Sequence, residues 1–502
     1  MARMTSVQTK PGTEQATTFD SLDPATDEVV GTYPINTAVE VTAAVDAARE
    51  AAEWWAGLGF VGRAERLKRW KGMITRRAGQ LAEVVHAETG KPHSDAMIEI
   101  VSAIDHLAWA TKNARKVLGQ QKRSSGMLMA NQSATVEFQP LGVIGIIGPW
   151  NYPVFTPLGS ITYALAAGNA VVFKPSEYTP GVGKWLVDSF AEIVPEHPVF
   201  QLITGFGETG AALCRSGVDK LAFTGSPGTG RKIMAACAET LTPVLIEAGG
   251  KDALLVDEDA DLDAAADAAV WGGMSNAGQT CVGVERVYVH EKVYDAFVEK
   301  VVATAREVRA GSDPEAKIGP ITMPGQLKII RRHISDALAR GGRAVLGGED
   351  SVGDRYVQPT ILVDVPEDSD AVREETFGPT LTVARVADMD EAIAKANDTR
   401  YGLGATVFAK RRGMELARRL RSGMTAVNAV ISFAAIPSLP FGGIGDSGFG
   451  RIHGPEGLKE FARPKAIARQ RFKPLMPLTS FTRTAKHDAR VAKLITILHG
   501  KR

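Results

Sequence analysis

Apolar positions recur every three to four residues, with charges between them, across Val39–Trp55, Arg63–Thr89 and Met97–Val117. That period lays one apolar stripe along a helix, so it predicts three helical stretches. The pattern then changes. Gly142–Ile147 is a short, continuous apolar run, as expected of a strand buried on both faces. Phe155–Ala167 reads as a helix and Ala170–Phe173 as a second buried strand. The alternation continues with helix Gly181–Val194, strand Val199–Ile203, helix Thr209–Arg215, strand Lys220–Phe223, helix Gly228–Glu239 and strand Val244–Ile246. Strand and helix at such short intervals predict a doubly wound parallel sheet. A second series follows: strand Ala253–Val256, helix Leu262–Asn276, strand Arg286–Val289, helix Val293–Val308, and further units to about Val427. Two α/β domains are expected, meeting near Gly249-Gly250.

The longest stretch without a charge is Phe138–Phe173, but it holds four prolines (Pro140, Pro149, Pro153 and Pro157) with Asn151 and Asn169. A membrane-spanning helix would have to absorb all of these breaks, so the stretch reads as two buried strands around a helix. The first residues are polar and lack the apolar core of an export signal, and residues 1–18 are expected to be disordered. The expected location is the cytoplasm. Three cysteines fit a reducing compartment and are too few for a disulfide framework.

Lys plus Arg is 58 and Asp plus Glu is 57 in 502 residues, a net charge of +1. No global field exists that would recruit nucleic acid. The charge is uneven, however. Residues 468–502 hold nine Lys or Arg and one acid, Asp488, which leaves 49 bases against 56 acids in the rest. Val491–Leu498 is an apolar stretch expected to form an amphipathic helix. This tail is either a solvated or packed extension or a surface that meets anionic lipid or another subunit.

Five segments carry candidate chemistry. Cys281, in Asn276-Ala-Gly-Gln-Thr-Cys-Val-Gly283, falls in a Gly-containing turn between a helix and a strand. It is either a nucleophilic thiolate or an inert buried cysteine; Cys214 and Cys237, both mid-helix, read as inert. Glu247 ends an apolar strand before Gly249-Gly250, at the sheet edge where ligands bind in open α/β folds. Partial burial there suits a carboxylate to general-base work; the plainer reading is a turn cap. Asn151, in Pro149-Trp-Asn-Tyr-Pro153, is an oxyanion donor or a turn former. Phe223-Thr-Gly-Ser-Pro-Gly-Thr-Gly-Arg231 has the strand–turn–helix layout that brings phosphate to a helix N-terminus, without the spacing of either common glycine fingerprint. In Phe173-Lys-Pro-Ser-Glu177, Lys174 is placed to reach phosphate or ribose, and Glu177 to accept from ribose hydroxyls and repel an added 2′-phosphate.

Together these segments resemble the aldehyde dehydrogenase superfamily. Its motifs here are Pro149-Trp-Asn-Tyr-Pro153, Phe223-Thr-Gly-Ser226, Glu247-Ala-Gly-Gly-Lys251, Gly278-Gln-Thr-Cys281, Glu375-Thr-Phe-Gly-Pro379 and Pro440-Phe-Gly-Gly443, in that order between about Leu22 and Lys465. The resemblance implies a fold: a Rossmann-like cofactor domain (19–120 and 141–249), a catalytic α/β domain (250–445) and a small bridging sheet for oligomerisation (121–140 and 461–472), followed by the basic tail from 473. It implies roles as well. Cys281 is the nucleophile, Asn151 and the Cys281 backbone hold the oxyanion, and Glu247 activates water. Trp150, Lys174, Glu177, Gly225, Ser226 and Gly230 line the adenosine and pyrophosphate side of NAD, while Glu375 and Phe377 hold the nicotinamide end. NADP is accommodated if Lys174 offsets Glu177. No metal is implied, and a homodimer or homotetramer is. Where the family usually has Leu, this chain has Ala248.

The loop before Pro440, Val430-Ile-Ser-Phe-Ala-Ala-Ile-Pro437, offers no Lys or Arg to pair a substrate carboxylate. With Tyr152, Phe155, Trp271 and Phe433 as aromatic surface, the expected substrate is an apolar or aromatic aldehyde. The alternatives are a succinate-semialdehyde-type enzyme, a CoA-acylating or acyl-phosphate-reducing enzyme (neither needs Glu247), and a non-catalytic scaffold using the tail.

Overall fold

The computed structural model describes residues 16–474 and 476–500. Most of the expected disordered stretch, residues 1–15, lies outside them, but the first strand already begins at Thr18, inside that stretch. Thr18–Leu22 and Val29–Pro34 form an antiparallel hairpin. Four helices follow: Ala38–Gly57, Gly59–Arg76, Ala78–Thr89 and His93–Leu118. The first starts on a capping box, with Thr37 and Glu40 each satisfying the other's backbone N–H. The third stops at Gly90, whose φ of 68° suits a residue without Cβ. Trp55 and Trp70 are fully buried, and each indole still donates a hydrogen bond, to the Leu165 carbonyl (2.8 Å) and to Ser189 Oγ (2.9 Å).

Against these helices lies a six-stranded sheet. Its order is Gly448–Phe449, Val244–Ala248, Lys220–Gly225, Val143–Ile147, Ala170–Lys174, Phe200–Leu202. All strands are parallel except the two-residue edge strand Gly448–Phe449. The chain starts in the middle at Val143–Ile147, builds outward on one side, then returns to build the other. The strand order therefore reverses beside Val143–Ile147, and a crevice opens at the carboxyl ends of the strands there. Trp150, Asn151, Lys174, Ser226 and Glu247 all sit at that edge.

Asp252–Val256 opens a second sheet of seven strands, in the order Arg343–Leu346, Thr360–Val363, Thr380–Val386, Val284–His290, Asp252–Val256, Ala405–Phe408, Ala426–Val427. Only the edge strand Arg343–Leu346 is antiparallel. The crossing between sheets is Gly249-Gly250-Lys251, so the carboxyl edge of the first sheet faces the amino edge of the second. Both glycines are required. A Cβ on Gly249 would fall on the Glu375 carboxylate, and one on Gly250 would lie 2.9 Å from the Cys281 carbonyl oxygen.

A third, antiparallel sheet joins Gln121–Arg123, Gln132–Pro140 and Ala462–Gln470. Before entering it the chain returns to the first unit. Gly448–Phe449 pairs with Val244–Ala248, and helix Gly454–Glu460 packs on His93–Leu118 and Phe155–Ala167. Among the described residues no helix is long and apolar enough to cross a membrane. The stretch Phe138–Phe173 resolves into strand Val143–Ile147, helix Phe155–Ala167 and the start of strand Ala170–Lys174.

Candidate active site

Cys281 lies in the turn between helix Leu262–Met274 and strand Val284–His290. The turn begins with Asn276 and Ala277 at φ of 52° and 55°. Non-glycine residues hold that conformation only where surroundings enforce it. Here Asn276 Nδ2 donates to the carbonyls of Asn151 (3.0 Å) and Gln279 (3.2 Å). Gln279 Nε2 donates to the Asn276 carbonyl (2.9 Å), and Gln279 Oε1 accepts from the Thr322 N–H (2.8 Å). Tyr152 OH and Thr280 Oγ1 are 3.1 Å apart. The thiol is thus presented by a loop tied down on both sides.

Asn151 belongs to this network. Its Nδ2 donates one hydrogen to the Gln279 carbonyl (2.9 Å), which leaves a second hydrogen, and its own carbonyl accepts from the Lys91 ammonium (2.8 Å). Lys91 is buried and paired with buried Glu99 at 2.6 Å; Glu99 also accepts from the N–H groups of Val154 and Phe155. The Lys91–Glu99 pair therefore fixes both ends of the Asn151 turn.

Glu247 ends strand Val244–Ala248, opposite Thr224 on one side and Gly448 on the other. It is 2% exposed. Oε2 accepts from Thr224 Oγ1 at 3.3 Å, and Oε1 has no partner. Burial pushes its carboxyl up to about 7, against weaker pulls from the Cys281 thiol and Thr224 hydroxyl. Burial first, and the Glu247 carboxylate next, push the Cys281 thiol well above its ordinary value. No cation pulls it down. A carboxylate with an unused oxygen beside a reluctant thiol is a proton acceptor waiting for its donor.

Cys281 and Glu247 open together into a cavity of about 160 Å³. Tyr152, Phe155 and Trp271 line it, as do Ile431, Ala434, Phe441 and Ile452. Phe433 does not. The short helix Ser432–Ala435 turns it inward, 5% exposed, toward Gly404 and Asp252, and its neighbours Ala434 and Ala435 face the cavity instead. Three acids, Asp95, Glu99 and Glu247, reach the lining; no Lys or Arg does.

The cofactor candidates sit along the carboxyl edge of the first sheet and the facing edge of the second. Ser226 caps helix Pro227–Ala238, accepting from the Thr229 N–H at 3.2 Å, while its carbonyl accepts from the Gly230 N–H at 3.0 Å, which leaves the Gly228 N–H as the free donor of the first turn. Gly225 ends the preceding strand; a Cβ on Gly230 would press on Ile246 at 3.2 Å. Lys174 is buried with its ammonium donating to the Pro175 carbonyl (3.1 Å); burial lowers its pKa. Glu177, half-buried nearby, accepts from Ser176 Oγ at 3.4 Å. Across the crevice, Trp150 and Phe377 meet edge to face with centroids 5.6 Å apart. Glu375 accepts from the Gly250 N–H (3.2 Å), and burial raises its carboxyl to about 8. A capped helix N-terminus, side-chain-free turns and a half-buried carboxylate with spare acceptor capacity line this crevice.

Sequence reasoning passed over the group that holds Glu375 and Phe377. Glu285 lies in the wholly buried strand Val284–His290, and its carboxylate accepts from the Thr376 and Phe377 N–H groups and pairs with Lys251. Lys251 also donates to Thr376 Oγ1 (3.1 Å). Two adjacent charges, Glu285-Arg286, between apolar residues were the available signal. Removing one partner of such a pair leaves the other buried and uncompensated. Lys251→Met is expected to lose ~3–5 kcal/mol of stability in urea unfolding; a loss below about 1 kcal/mol, the range of exposed pairs, would contradict that role. Among the described residues His333, Asp370 and Glu374 cluster closely enough to suggest a metal. Arg332 already sits there, 2.7 Å from Glu374 and 3.4 Å from Asp370, and supplies the positive charge.

A model of the aldehyde dehydrogenase family matches residues 12–467. The chain belongs to that family. It is 36% identical over 452 residues to 4,4′-diapolycopene aldehyde oxidase of a Methylomonas species, covering 89% of this chain and 85% of that protein. It resembles the NAD-dependent aldehyde dehydrogenase from Sinorhizobium meliloti (TM-score 0.87, 34% identity, 92% and 93% coverage). It also resembles succinate-semialdehyde dehydrogenase from Burkholderia pseudomallei (TM-score 0.86, 34% identity, 90% and 94% coverage). The protein is an NAD(P)-dependent aldehyde dehydrogenase.

Proposed function

We propose that this dehydrogenase oxidises apolar or aromatic aldehydes to their acids through covalent catalysis on Cys281. Glu247 takes the thiol proton, and the sulfur attacks the aldehyde carbon to give a thiohemiacetal. The free Asn151 N–H and the Cys281 backbone N–H face the developing oxyanion. NAD(P), when bound, would supply the hydride acceptor, and Trp150, Phe377 and Glu375 are the residues that would hold it. Loss of hydride from the carbon leaves a thioester on Cys281. Glu247, having passed the thiol proton to solvent, removes a proton from water as it attacks the thioester; the C–S bond breaks, the acid leaves and Cys281 is released as the thiolate. The observation that carries this reading is the unpartnered Glu247 oxygen in the same cavity as the thiol. It also favours hydrolysis over transfer to CoA.

The substrate class rests on the lining. Aromatic and aliphatic side chains dominate it, and it offers no cation to pair a substrate carboxylate. In kinetics with a panel of aldehydes, hexanal and benzaldehyde are expected to show kcat/KM at least about tenfold above succinic semialdehyde, the worth of ~1.4 kcal/mol. The reverse order would favour the succinate-semialdehyde reading.

NAD is the proposed cofactor of preference, because a 2′-phosphate would approach Glu177. Glu177→Gln is expected to raise kcat/KM with NADP by roughly fivefold, about 1 kcal/mol at partly screened distance. No change would place the discriminating charge elsewhere. The chain is proposed to assemble as a homodimer or homotetramer through the sheet edge at Ala462–Gln470, which pairs on one side only, and to work in a reducing cytoplasm, where its three free cysteines persist. The basic tail, in the same reading, is a contact element outside the catalytic body.

A further inference from the structure

Beyond Phe472, whose carbonyl accepts from Asn131 Nδ2 at 3.3 Å, every hydrogen bond and ion pair of the described tail stays within the tail. Its helix, Ala485–His499, has no buried residue. Phe481 is fully exposed, and Phe472, Ile495 and Ile497 are about half exposed. The folded body thus leaves this apolar segment only partly covered, with Val491, Leu494 and Leu498 half-buried and Ile495 and Ile497 exposed.

The helix sorts its side chains. Val491, Leu494, Ile495 and Leu498 follow i, i+3, i+4, i+7 spacing and share one face. Lys486, Arg490 and Lys493 form a second stripe along its flank. None of the three cations has an acid partner among the described residues. Asp488, the tail's single acid, is paired with Arg483 at 2.9 Å. At 15 residues the helix is about 22 Å long, short of the ~30 Å of a bilayer core. It can lie on a membrane and cannot cross one.

We infer that the tail is an interfacial docking element for an anionic lipid bilayer, with the Leu494–Leu498 face in the acyl boundary and the Lys486–Lys493 stripe among acidic headgroups. Protein interfaces deplete lysine, whereas interfacial helices place cations beside an aliphatic face, which favours lipid over a second copy of the chain. Phe472 and Phe481 add exposed aromatic surface to the same segment. The inference concerns the tail alone and stands whether or not Cys281 is the nucleophile.

The test is co-sedimentation of the full-length protein with vesicles of phosphatidylcholine alone and of phosphatidylcholine mixed with phosphatidylserine. Binding is expected only to the mixed vesicles and should weaken with added salt. The triple variant Lys486→Gln, Arg490→Gln, Lys493→Gln should bind about a hundredfold more weakly, at roughly fivefold per cation. Leu494→Ser with Leu498→Ser should also release the protein. Both variants should keep wild-type turnover of hexanal, which shows that the body is folded. Equal binding to both vesicle types, or binding unaltered in both variants, overturns the inference. So does failure of the wild type to bind, including the case in which the variants change oligomer size and so assign the tail to a second copy.

Discussion

Cys281→Ser is expected to abolish aldehyde-dependent NADH formation, with a loss of at least about 10⁴-fold in kcat, or ~5.5 kcal/mol of barrier. The size follows from the lack of any substitute. Cys214 and Cys237 are buried at 1% exposure, far from solvent, and a serine hydroxyl gives up its proton much less readily than the thiol it replaces. The loop should survive the change, because its hydrogen bonds come from Asn276, Gln279 and Thr280 rather than from the sulfur. An unchanged melting temperature with absent turnover is therefore the expected pair of readings. Retention of more than about a tenth of wild-type rate, less than ~1.4 kcal/mol of barrier, would remove Cys281 from the chemistry.

Glu247→Gln separates the two halves of the reaction. Steady-state turnover should fall by roughly 10²–10⁴-fold, the range expected for a lost general base. A burst of NADH of about one per active site should survive if a proton from the thiol can still reach water at alkaline pH. In the wild type the raised carboxyl makes hydrolysis pH-dependent near neutrality. The base works unprotonated, so turnover should rise as pH increases through about 7 and then level off. The variant should lose that inflection. If the wild-type profile is flat between pH 6 and pH 8, two values bracketing the inflection of about 7, Glu247 is not the limiting base.

The helices before Gly119 are visible in the chain because each buries one face with a helical period, whereas strands Val143–Ile147 and Ala170–Lys174 show as continuous apolar runs. Phe155–Ala167 emerges with those bounds as an apolar run buried on every side from Thr156 on. Gly448–Phe449 does not, since a two-residue edge strand carries no period to detect. At the site, Cys281, Glu247 and Asn151 stand out because a reactive side chain interrupts an apolar run or a tight turn. The Lys91–Glu99 and Lys251–Glu285 pairs are hidden, because partners eight and 34 residues apart are joined only by the fold. Phe433 shows the limit in another way. Its loop is legible as a wall of the cavity, but which side of a one-turn helix faces inward is decided by what Gly404 leaves room for.

The position of Glu375 follows the same logic. Its motif suggests a nicotinamide-side acid, while the reason it stays there is the Glu285 carboxylate gripping the next two backbone N–H groups. Ala248, smaller than the family's usual leucine, is buried beside it and leaves Glu247 in place.

The most direct measurement is the intact mass of Glu247→Gln after brief mixing with hexanal and NAD at alkaline pH, where water takes the thiol proton that Glu247 no longer accepts, followed by peptide mapping. One acyl group should be found, on Cys281, with an equivalent of NADH. An unmodified protein that has nonetheless formed NADH, or an acyl group on any other residue, would contradict covalent catalysis at this sulfur.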